Sequence, residues 1–136
     1  YRLLHSSSSC GTEAPSVTRI TDRRELNLLA TSPVLGATAP PSPDFETSLV
    51  LRLSMGQQPS AGSQFGATGV QAYGAEQLLV VDTVSKPPDP GRMHATMVTR
   101  PCVIISVEVK PGSVRRVQVR DQAGEVRASA LLPAAR

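Results

Sequence analysis

Short blocks of alternating apolar residues, each cut off by proline or glycine, constrain this chain more than any other feature. Val103, Ile105, Val107 and Val109 share one face of an extended segment, because side chains two apart point the same way on a strand. Lys110-Pro111-Gly112-Ser113 then sets Pro and Gly at the two centre positions of a type II turn, which reverses the chain. The returning segment carries Val117 and Val119 on one face and Arg116, Gln118 and Arg120 on the other. Asp121-Gln122-Ala123-Gly124 is a second turn, read as type I with Gly124 left-handed, and Val126, Ala128 and Ala130 line the inner face of the next strand. Residues 93–132 therefore read as a meander, with Met93–Arg100 as an additional strand before Pro101.

The same period recurs upstream. Leu49, Leu51, Leu53 and Met55 alternate with Ser48, Val50, Arg52 and Ser54, the pattern of a half-buried strand. Residues 56–67 (GQQPSAGSQFGA) lack periodicity and read as a mobile loop anchored by Phe65. Val70 to Tyr73 is a short strand candidate. Leu78-Leu79-Val80-Val81 is apolar on both faces, which predicts a central strand covered on both sides before Lys86–Gly91 breaks the sheet. A single helix is expected over 22–30, where Asp22 precedes Glu25 at capping-box spacing and Leu26, Leu29 and Ala30 follow at helical spacing. Ser32-Pro33 ends it, and Pro33, Pro40, Pro41 and Pro43 make 31–44 an extended loop that lies across a partner or another surface of the domain.

These elements predict an all-β, mainly antiparallel fold with one short helix and long Pro/Gly-rich loops. A β-sandwich and a partly open barrel both satisfy the pattern. At 136 residues the chain has room for one domain, read as 16–132, between a presequence-like or disordered tail at 1–15 and a C-terminal tail at 133–136. Residues 1–12 contain Arg, Leu and a run of serines but no acid, the composition of a mitochondrial transit segment. Cys10 and Cys102 are separated by 92 positions and lie in dissimilar contexts, which argues against a disulfide without excluding one. No uncharged apolar run approaches the roughly 20 residues needed to span a bilayer, so a soluble protein is expected.

Residues with catalytic chemistry do not cluster in the sequence. His5, His94, Cys10 and Cys102 have no metal-ligand spacing, and Cys102 with His94 and Asp82 is the sole nucleophile–base–acid combination that can be composed. Gly62, Gly66 and Gly69 have no following Lys-Ser and form no phosphate loop, and the acids are scattered. No catalytic residue, metal or cofactor is assigned. Charge is more informative, since the net +3 rests on twelve Arg and only two Lys, Lys86 and Lys110. Arg pairs bidentately with phosphates and carboxylates, although a GC-rich genome enriches Arg, Ala, Gly and Pro together. Arg116, Arg120 and Arg127, with Arg100 and Lys110 at the ends of neighbouring segments, form a candidate surface for RNA phosphates or an acidic protein. Glu108 and Glu125 offer the alternative of a solvated, partly balanced face. Only Tyr1, Phe45, Phe65 and Tyr73 are aromatic, too few for base-stacking recognition of single strands.

The functional expectation is a noncatalytic structural or accessory subunit of a large mitochondrial assembly, with the mitochondrial ribosome favoured and ribosomal RNA met through its backbone. An accessory subunit of a respiratory-chain complex or ATP synthase is the alternative, where other subunits meet the Arg residues. A stand-alone β binding module and an unrecognised enzyme complete the field.

Overall fold

A strand that is apolar on both faces has to lie in the middle of a sheet covered on both sides. Residues Cys102–Val107 are such a strand, and all six are buried. The computed structural model, which describes residues 1–29, 43–59, 62–87 and 98–132, builds two four-stranded sheets around this requirement. In chain order the elements are β1 (Arg2–Ser7), β2 (Ser16–Ile20), α1 (Arg23–Leu29), β3 (Leu49–Ser54), β4 (Gln64–Tyr73), β5 (Leu78–Lys86), β6 (Cys102–Val107), β7 (Arg116–Arg120) and β8 (Val126–Leu131). The first sheet has the order β1-β6-β3-β2 and the second β4-β5-β7-β8. Every pairing is antiparallel except β5 with β7. The result is an open-edged β-sandwich. Among the described residues no helix is long and apolar enough to cross a membrane.

Leu49, Leu51, Leu53, Val103, Ile105 and Val107 from the first sheet meet Leu79, Val81, Val117 and Val119 from the second to form the main core. A second apolar cluster lies on the outer face of the first sheet. There Leu26 of α1 packs with Leu4, Ile20, Val50 and Ile104. Asp22 caps α1, its Oδ1 accepting the Glu25 N–H at 2.8 Å. Because α1 covers Val50, β3 is not half-buried as its alternation predicts, and only Arg52 along it is partly exposed.

The expected meander is redirected. β6 is flanked by β1 and β3, so it has no free edge to offer β7. The chain instead crosses between sheets through a 3-10 turn at Pro111–Ser113, where Ser113 N–H donates to Lys110 O at 2.9 Å, in place of a type II hairpin turn. β7 then pairs with β5 and β8. β4 is longer than expected and takes in Phe65, which the sequence assigned to a loop. Of the expected strand Met93–Arg100, residues 93–97 lie outside the described residues, and Thr99 forms an isolated bridge with Gln58. Most of the 31–44 loop and the 133–136 tail lie outside them too.

Residues 1–15 are not a disordered tail. Arg2–Ser7 forms the edge strand beside β6, and the following segment crosses the end of the first sheet to begin β2 on the opposite edge. Cys10 and Cys102 form a disulfide across this passage, with Cα atoms 5.4 Å apart. Backbone bonds reinforce it: Arg100 N–H donates to Ser8 O and Gly11 N–H to Arg100 O, both at 2.8 Å. The Thr12 N–H donates to Ser54 Oγ at 2.8 Å. Gly11 is required by space, since a Cβ there would lie 2.6 Å from both Arg100 O and Ser54 Oγ. Disorder is expected from the sequence because a serine-rich segment cannot offset its own ordering entropy. Here an edge of β6 and a covalent crosslink hold it in place.

Two outcomes follow from this clasp. Replacing Cys10 and Cys102 together with Ala should lower the unfolding free energy by up to about 4–5 kcal/mol, the chain-entropy value for a loop of this length, with a matching fall in the urea midpoint, and reductant should do the same to the native chain. Gly11→Ala should cost about 1–3 kcal/mol by forcing the crossing segment off Arg100. Equilibrium urea unfolding checks both.

Candidate binding surface

At the disulfide end of the sandwich, the ends of β3, β5 and β7 and the starts of β4 and β8 surround a pocket of about 120 Å3. Met55, Phe65, Val119 and Ala128 supply apolar wall, while Asp121 and Arg127 stand in it as the charged pair. The volume suits a group about the size of a benzene ring.

The β7–β8 turn builds the polar side. Gly124 adopts φ +82°, and its N–H donates to Asp121 O at 3.0 Å, as the Asp-x-x-Gly sequence predicts. Asp121 Oδ1 accepts the Ala123 and Glu125 N–H groups at 2.9 and 3.0 Å. Its Oδ2 accepts Arg127 Nε–H at 2.6 Å, and Arg127 also lies 3.7 Å from Glu125. The Arg127 hydrogen bond, helped by those backbone donors, holds the Asp121 carboxyl below its ordinary range despite opposing burial. The same pairing raises Arg127 above its ordinary value. Gln122 fastens the turn to β5, its amide accepting from Ser85 N–H at 3.2 Å and donating to Ser85 O at 2.8 Å.

The five sequence-assigned cations are distributed over both ends. Arg116 and Arg120 share the outer face of the second sheet, opposite Leu131 and Val126 of β8. Arg127 departs from that face because it is the extra residue of a bulge, where Val119 pairs Ala128 and Arg120 pairs Val126. The same bulge leaves Val126 half exposed and puts only Ala128 and Ala130 of the expected trio against the core. Arg120 Nε lies 3.4 Å from Asp82 Oδ1, an ion pair without hydrogen-bond geometry. Arg100 donates through Nε and one terminal nitrogen to Gln57 Oε1 at 3.2 and 3.1 Å. Arg116 and Lys110 are exposed near the opposite end of the sandwich.

Cys102 has no thiol to act as a nucleophile, because it is disulfide-bonded and only 1% exposed. That removes the combination with Asp82 and His94, the last of which lies outside the described residues. His5 pairs beside Ile104 on β1, and burial pushes its pKa below the ordinary imidazole value. Sequence reasoning missed Asp121 as a site residue by treating it only as a turn former. Its spacing of six to Arg127 across a hairpin was the available signal.

No family model, curated protein or solved structure matches the chain.

The pH dependence of Asp121 has a definite sign. A depressed folded pKa stabilises the protein above the unfolded carboxyl value of about 3.9, and that contribution is lost as pH falls through the still lower folded value. Asp121→Asn should therefore lower the melting temperature at pH 7, and the difference from the native chain should shrink progressively below about pH 4. Thermal melts at pH 7, 4 and 2.5 read this directly, and a constant difference would mean that the charge of Asp121 contributes nothing.

Proposed function

We propose that this chain is a noncatalytic binding subunit that meets a protein partner in an oxidising compartment. The observation that carries the reading is the buried disulfide between Cys10 and Cys102, with both half-cystines less than 10% exposed and the segment between the first two strands tied through it to the start of β6. Structural disulfides persist where the surroundings are oxidising and are rare where glutathione keeps thiols reduced. The strand at Arg2–Ser7 also gives residues 1–12 a structural reason for their composition. A transit signal is then no longer needed to account for it, and the mitochondrial ribosome loses its motivation as the assembly.

The choice of protein over RNA rests on the cations. Phosphate binding draws its strength from unneutralised Lys and Arg that release counterions. Arg120 and Arg127 face carboxylates and Arg100 is oriented by Gln57, which leaves Arg116 and Lys110 as the cations of the candidate stripe with neither partner, too few for a strong phosphate surface. A small apolar pocket framed by a fixed ion pair suits a protein side chain better.

The test is thiol trapping in the source cells. Acid quenching followed by a maleimide of high mass should leave the chain unshifted on a denaturing gel, and reduction before labelling should add two labels. Direct labelling of both cysteines in quenched cells would overturn the compartment. Complexes of the chain should also survive ribonuclease, and their dissolution by it would overturn the choice of partner.

A further inference from the structure

The second sheet ends in an edge strand unlike the other three. β4 has ten residues, QFGATGVQAY, with no charge and no proline. β1 carries Arg2 and His5 and a bulge, β2 is five residues long with Arg19, and β8 carries Arg127 and a bulge. Charges, bulges and short length are the usual protections of a sheet edge, whose unpaired N–H and C=O groups otherwise recruit another strand. β4 has one such device, the bulge between Ala67 and Gly69. At that bulge the residue preceding β1 lies close, since the Tyr1 hydroxyl donates to Ala67 O at 3.2 Å. From Gly69 to Tyr73 the strand is in regular register with β5, and among the described residues no strand pairs its other side.

We propose that Gly69–Tyr73 pairs antiparallel with the same segment of a second copy of this chain, about a two-fold axis at Gln71. The argument for a second copy is self-complementarity. Val70 packs on the core, so Gly69, Gln71 and Tyr73 face outward, beside Asp82, Val80 and Leu78 of β5. Pairing about Gln71 sets Tyr73 of each copy opposite Gly69 of the other. Tyr73 is 42% exposed, and a Cβ on Gly69 would have only Asp82 Oδ2 near it, at 4.0 Å, so the space above Gly69 is open to the ring. An aromatic side chain covering a cross-strand glycine is a stabilising pair in sheets. Gln71 meets itself without charge repulsion, and a closed two-fold contact stops at the dimer. The two sheets join into one of eight strands.

Five paired residues bury less than a standard interface, which places the dissociation constant on the order of 100 µM. Sedimentation equilibrium of the whole chain from about 10 µM to 1 mM should show a reversible dimer. Gln71→Lys places like charges face to face on the axis and should raise the dissociation constant about tenfold or more, while the melting temperature of this exposed position stays near native. Mixing Gln71→Lys with Gln71→Glu should restore a mixed dimer. Tyr73→Ala, which uncovers Gly69, should also weaken the dimer. A chain that stays monomeric across that range, including one that binds an extended peptide along the same edge, overturns the proposal. So does a dimer indifferent to both substitutions, or one with no preference for the mixed charge pair.

Discussion

Burial of β6 on both faces is the constraint from which the rest of the architecture follows. Its inner residues, Val103, Ile105 and Val107, need a facing sheet, and its outer residues, Cys102 and Ile104, need a cover. The second sheet answers the first requirement, while α1 and the crossing segment with Cys10 answer the other. Once β1 and β3 occupy both of its edges, β7 has to leave for the other layer. The parallel β5–β7 pairing is the consequence, because β7 enters the second sheet from a crossover and not from a hairpin.

The disulfide is placed where it does most for this arrangement. β1 and β2 are edge strands on opposite sides of one sheet, and the segment between them traverses the ends of β6 and β3. Without a crosslink its ordering would rest on a few hydrogen bonds around Gly11 and Thr12. Crosslinking Cys10 to Cys102 restricts the unfolded chain across 92 positions, so the passage is held by reduced entropy elsewhere more than by local apolar contact. The same end of the sandwich carries the pocket and the Asp121–Arg127 pair, which gives that surface a rigid floor.

The candidate surface was only partly legible because period two holds only while pairing is uninterrupted. Val117 and Val119 face inward as their alternation demands, and the Asp121–Gly124 turn forms where Asp and Gly put it. Beyond that turn the alternation of Val126, Ala128 and Ala130 continues in the sequence, yet the bulge at Arg127 shifts the register by one. Val126 moves outward, and Arg127 is drawn to Asp121. No residue pattern announces a bulge before the partner strand is known.

What the sequence determined by itself is the set of local geometries: the strand blocks at Leu49–Ser54, Leu78–Lys86, Cys102–Val107 and Arg116–Arg120, the capped helix at Arg23–Leu29, the Asp-Gly turn, and the all-β class they add up to. Each depends on side-chain period or on a preferred φ, which neighbouring residues supply. Tertiary structure alone decided which strand lies beside which, that Arg2–Ser7 is ordered, that Cys10 meets Cys102, and that three of the five candidate cations are engaged by Asp82, Gln57 and Asp121. Those are contacts between distant positions. A strand edge satisfies its hydrogen bonds with any partner, so only the competition among all apolar faces for cover selects one pairing over another.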